Sequence, residues 1–154
     1  MKLKIRSSRL SQKQKLGLER TWCNKVKRMA QKYIKGDIVM YYNNITVIKR
    51  LREEDCFDLF CPKEGLTYCF VDMEKTKPVK LNSLILQKNG WKKDDKWYKL
   101  TTKRAYLYIT KDAKVNDGFL VCVGDVKHNL ASVSFVHELQ HLLYGLKINS
   151  EMEV

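Results

Sequence analysis

The apolar positions along the chain change period at Gly36. Before it, Leu18, Trp22, Val26, Met29 and Tyr33 recur three or four residues apart behind Ser11, a good N-cap residue. That spacing is one face of an α-helix, so a helix is predicted over about 11–35 with Lys and Arg covering its outer face. Beyond Gly36 the pattern is short, β-branched and aromatic. DIVMYYNNITVI reads as a hairpin around Asn43 and Asn44, residues that tolerate positive φ. CFDLFCPKEGLTYCFVDM reads as a second hairpin turning at Pro62 to Gly65. NSLILQKN, residues 82–89, predicts a short helix closed by Gly90, and GWKKDDKWYKL a tight hairpin with Asp94 and Asp95 at its tip.

AYLYIT (105–110) and FLVCV (119–123) are the most strand-like runs. The second leads through GDVKHN into a final amphipathic helix that contains SFVHELQHLLYG, residues 134–145. Helix, several antiparallel strands, then helix predicts an α+β fold with the helices packed on the sheet. No internal repeat or Pro/Gly-rich linker divides the 154 residues, so one domain over 1–154 is expected.

Composition sharpens this picture in two ways. The opening MKLKIRSSRL is basic but precedes no apolar stretch, and no window is long and apolar enough for a membrane span. Five cysteines without a CxxC pair fit reduced thiols, and a cytoplasmic location is expected. The net charge of +13 is also uneven. Residues 1–35 carry 12 Lys/Arg against one Glu, and residues 88–104 carry seven against two Asp. Such basic surfaces suit nucleic acid, an anionic membrane or an acidic protein, with the N-terminal helix as the expected docking face.

Candidate chemistry centres on HELQH. On a helix His137 and His141 lie one turn apart and project from one face, so both imidazoles reach one metal ion. Glu138, rotated about 100° from His137, approaches a metal-bound water without ligating the metal. Phe135, Leu139, Leu142 and Leu146 form an apolar stripe expected to face the core, leaving Ser134, His137, His141 and Gly145 on the other side. No GxxxxGK[ST], GxGxxG or GxSxG occurs, so nucleotide-binding and serine-hydrolase readings lack local support.

SFVHELQHLL resembles the HExxH signature of the zincin metallopeptidases, with uncharged residues around the motif. The preceding strand and loop look like the zincin arrangement too. The resemblance covers roughly the last fifty residues. It implies a zincin-like domain holding Zn2+ and a small peptidase acting on a peptide or protein substrate. A zinc-activated water would attack the scissile carbonyl, with Glu138 as general base.

Such a site needs a third protein ligand. In zincins with a close downstream His or Asp ligand, that residue falls six positions beyond the second histidine, where this chain has Lys147. The gluzincin pattern, with a glutamate further on, leaves Glu151 as first choice and Glu153 as second. The segment is shorter than the gluzincin one, as in a truncated C-terminal end. His128 is the upstream alternative, about 13 Å from His137 along a continuous helix. Tyr144, and after it Tyr106 and Tyr108, are candidates for stabilising the oxyanion.

A rival reading takes the HELQH helix as catalytically inactive and the protein as a basic nucleic-acid-binding module. Trp91, Trp97 and Tyr98 among Lys92, Lys93, Lys96 and Lys99 would supply a stacking platform for single-stranded nucleic acid. A plain hairpin explains the same residues, with Trp91 across from Tyr98 and Trp97 on the opposite face.

Overall fold

The structure, a computed structural model, describes residues 33–53, 55–114 and 117–154. Ile34–Val154 forms one compact unit. The helix expected over 11–35 falls almost wholly outside the described residues.

Two antiparallel five-stranded sheets make up most of this unit. The first comprises β1 (Ile38–Tyr41), β2 (Asn44–Leu51), β3 (Cys56–Cys61), β4 (Leu66–Asp72) and the short β5 (Lys77–Pro78), in the order β4-β3-β2-β1-β5. The second comprises β6 (Lys92–Asp94), β7 (Trp97–Thr101), β8 (Tyr106–Lys111), β9 (Phe119–Val123) and β10 (His128–Val133), in the order β10-β9-β8-β7-β6. Helix α1 (Ser83–Lys88) joins the sheets, and α2 (Val136–Gly145) follows the last strand.

Local chemistry accounts for the turns. Tyr42 and Asn43 both take positive φ, 45° and 63°, the two-residue geometry whose twist matches the flanking strands. Asn82 caps α1 by accepting a 3.0 Å bond from the Ile85 amide. Gly90, at φ 79°, carries the chain out of that helix in a conformation that a side chain would strain.

The α+β, zincin-like expectation is overturned. The unit is mostly β, and among the described residues α2 is the only helix longer than six residues. Residues 128–133, read as the approach to the last helix, are instead an edge strand paired with β9, His128 opposite Val123 and Val133 opposite Phe119. The helix therefore starts at Val136, one residue before the motif. Strand pairing there satisfies backbone groups through a neighbour distant in sequence, which the local pattern of HNLASV does not announce. The hairpin of β6 and β7 is shifted as well: Lys93 faces Tyr98 and Asp94 faces Trp97, so Asp95 and Lys96 make the turn. Trp91 falls before the strand and is buried, not paired with Tyr98.

The core lies between the inner face of the second sheet, the β1 side of the first and the two helices. Leu107, Ile109, Phe119 and Val121 from β8 and β9 meet Leu86 and Trp91, and Val136, Leu139 and Leu143 of α2. Ile148, Met152 and Val154 lay the C-terminal segment against the same cluster. The segment before α1 also pairs with the entry to α2, through Leu81 N to Ser134 O and Val136 N to Val79 O, both 2.9 Å. The second bond satisfies a helix-start amide that no intrahelical carbonyl can reach.

Leu139 has no exposed surface and sits at the middle of this junction. Leu139→Ala is expected to lower the unfolding free energy by about 2–5 kcal/mol, read by chemical denaturation.

Candidate functional site

Helix α2 presents an unusual inner face. Its buried residues are Val136, His137, Leu139, Gln140 and Leu143, so two polar side chains stand among the apolar ones. The apolar stripe expected at Phe135, Leu139, Leu142 and Leu146 is rotated toward Val136 and Leu143, and His137 lies on the buried side instead of opposite it.

Each polar residue of HELQH has a defined environment. Glu138 is the third residue of the helix and its carboxylate turns back over the helix start. Oε2 accepts the Ser134 amide at 2.7 Å and the Phe135 amide at 3.1 Å. This is the glutamate half of a capping box, and it relieves amides that the helix leaves without carbonyl partners. Gln140 clamps two chain segments: Oε1 accepts the Ile38 amide at 3.1 Å, and Nε2 donates to Gly36 O and Ser150 O, each at 3.2 Å. His137 stacks on Phe135 with ring centroids 5.9 Å apart. The His137 and His141 rings meet edge to face at 5.8 Å.

His141 Nε2 lies 2.8 and 3.0 Å from the two carboxylate oxygens of Asp37. Asp37 is buried, and one of these oxygens also accepts the Ile34 amide at 2.8 Å. Burial raises the Asp37 pKa above the ordinary value of 3.8, outweighing the Ile34 bond and the histidine, which pull it down. Asp37 is the functional-looking residue that the sequence reading missed. The signal was an Asp opening a strand-like run, with nothing local to tie it to a helix 104 residues away.

The other expected ligands do not converge on the two histidines. Glu151 is exposed, and its amide is held by Asn149 Oδ1 at 3.1 Å. Glu153 is held through its backbone by the Asn89 side chain, which accepts from its amide and donates to its carbonyl. His128 is exposed at the start of β10. Among the described residues no group of three His, Cys, Asp or Glu is placed to hold a metal ion. Of the residues in the motif resemblance, His141 faces the Asp37 carboxylate and Glu138, the expected base, caps the helix start. Tyr144 is exposed on the outer side of α2.

Tyr106 and Tyr108 belong to a different surface, the face of the second sheet turned away from the core. There Lys92, Lys99 and Tyr108 lie across β6, β7 and β8 in one row, flanked by Trp97 opposite Thr110 and Thr101 opposite Tyr106. The Lys99 ammonium sits 4.6 Å from the Tyr106 ring centre and 5.6 Å from that of Tyr108. Lys127, from the β9–β10 turn, sits 4.8 Å from the Trp97 ring and 5.1 Å from Tyr108. Trp97 and Tyr108 meet edge to face at 6.4 Å. Tyr98 instead turns inward and packs on the core.

Among the described residues no helix is long and apolar enough to cross a membrane.

The Asp37 geometry sets a pH dependence. Because its folded-state pKa is raised, the native state holds a proton that the unfolded chain has released, so its contribution to stability falls as pH rises. Asp37→Asn is expected to remove that loss. The unfolding free energy of the variant, relative to the parent, should improve as pH climbs above about 4 in paired denaturation curves. Glu138→Ala is expected to cost about 1 kcal/mol through the lost capping bonds. In comparisons with known proteins, no family model, curated protein sequence or solved structure matches this chain.

Proposed function

We propose that this protein binds nucleic acid, and that its HELQH helix serves the fold instead of a metal. The observation that carries the reading is the outer face of the second sheet, where two lysines rest on three aromatic rings without an acidic partner among the described residues. An ammonium held on a ring face keeps its N–H donors for a phosphate oxygen. The sequence adds the strongly basic residues 1–35, which give the chain a second place to meet a polyanion. The inward commitments of Glu138, Gln140 and His141 favour this reading over hydrolysis.

The peptidase reading keeps one observation of its own, the two imidazole rings 5.8 Å apart. It predicts one stoichiometric zinc that His137→Ala removes, and peptide cleavage that Glu138→Gln abolishes.

The binding reading is tested with a labelled mixed-sequence oligonucleotide titrated across a salt series. Affinity should fall linearly with salt on logarithmic axes, each phosphate contact contributing roughly 0.7–0.9 to the slope. The Lys99→Ala, Lys127→Ala double variant should flatten that slope by roughly 1.5. Absence of binding at low salt, or polyglutamate competing as well as the oligonucleotide, would overturn it; so would the zinc and cleavage results just described.

A further inference from the structure

Resting on the nucleic-acid reading, we infer that the outer face of the second sheet takes single-stranded nucleic acid, with unpaired bases stacked on Trp97 and Tyr106. Lys99 and Lys127 cover these rings in the free protein and exchange them for phosphates on binding.

Three features of the face select this substrate class. The first is shape. The rings stand on a sheet surface, where an unpaired base can lie against an aromatic plane but a paired and stacked one cannot. Among the described residues the longest helix, α2, carries no Lys or Arg along VHELQHLLYG, so its exposed side lacks the cations that would seat it on the phosphates of a groove.

The second is accessibility. Tyr106 is 44 % exposed and Trp97 is partly exposed, while Tyr108, at 8 %, lies beneath the two lysines as a buried support. Trp97 and Tyr106 are therefore the rings that a base can reach. Tyr108 braces Trp97 from its edge and fills the space between the rings.

The third is the state of the cations. Each lysine spans two rings, Lys99 over Tyr106 and Tyr108, Lys127 over Trp97 and Tyr108. A cation–π contact at a solvent-exposed site is worth only about 0.5–1 kcal/mol, so a charge-assisted bond to phosphate can displace it. Withdrawal of the ammonium uncovers the ring for the base that the same phosphate carries. The lysines thus act twice, shielding the aromatic surface when empty and holding the backbone when filled. Lys127 sits at φ 53° in the β9–β10 turn, so that turn sets its place over Trp97.

The experiment compares a labelled short oligothymidylate, as DNA and as its uridylate RNA equivalent, with a hairpin duplex of matched charge at one salt concentration. Single strands are expected to bind at least tenfold tighter. Trp97→Ala and Tyr106→Ala should each weaken single-strand binding by about tenfold or more while duplex binding changes little. Trp97→Phe, which keeps an aromatic plane, should recover most of the affinity, and its circular dichroism should match the parent. Equal binding of strand and duplex, with the aromatic variants unchanged and the lysine variants weakened, would overturn the stacking inference and leave nucleic-acid binding standing. Failure of every oligonucleotide to bind at low salt would overturn both.

Discussion

The described unit depends on one buried polar contact, the Gln140 amide. From the inner face of a ten-residue helix it bonds the backbone at Gly36, Ile38 and Ser150, three points that no regular ladder or helix would otherwise join. A buried backbone group without a partner costs about 1–3 kcal/mol, so the amide fixes where β1 begins and where the C-terminal segment returns. His141 and Asp37 add a second tie between the same two regions, 104 residues apart in sequence. With β1 and the tail set, Ile38, Ile148, Met152 and Val154 close around the apolar cluster.

The residues of the HELQH motif also serve the fold. A short helix entered directly from an edge strand leaves its first amides exposed, and Glu138 is at the position that reaches them. Leu139 fills the core, Gln140 ties the termini of the unit, and His141 gives the buried Asp37 carboxyl a hydrogen-bond partner. Glu138, Leu139, Gln140 and His141 thus each have a part in holding the fold together. Helical spacing that brings two histidines to one ion also brings a histidine and a glutamine to one buried seam.

The opposite surface of the molecule shows a complementary economy. The inner sides of β8 and β9 carry Leu107, Ile109, Phe119 and Val121 into the core, and strand alternation then obliges Tyr106, Tyr108 and Thr110 to face outward. Large rings on an open sheet face invite association between copies. Lysines lying on those rings shield them and give the face a positive charge.

The sequence by itself determined the hairpins and the short helix. Pro62 to Gly65, Asn82 and Gly90 act through their own backbone preferences, and those operate within a few residues, whereas the first turn falls on Tyr42 and Asn43, one residue ahead of the expected Asn43 and Asn44. The strands β8 and β9 were equally legible, because a run of β-branched and aromatic residues needs no distant partner to be recognised. Tertiary structure decided the rest. It made residues 128–133 a tenth strand by offering β9 as an edge, and so shortened the last helix to begin at Val136. It set His137 on the buried side and Asp37 against His141, since helix rotation is fixed by what the whole core excludes from water. It also moved the β6–β7 turn by one residue, and in a strand one residue exchanges the faces. Trp97 still takes the face opposite Trp91 and Tyr98, as the hairpin pattern predicts, but Lys93 stands across from Tyr98 in place of Trp91, which enters the core ahead of β6.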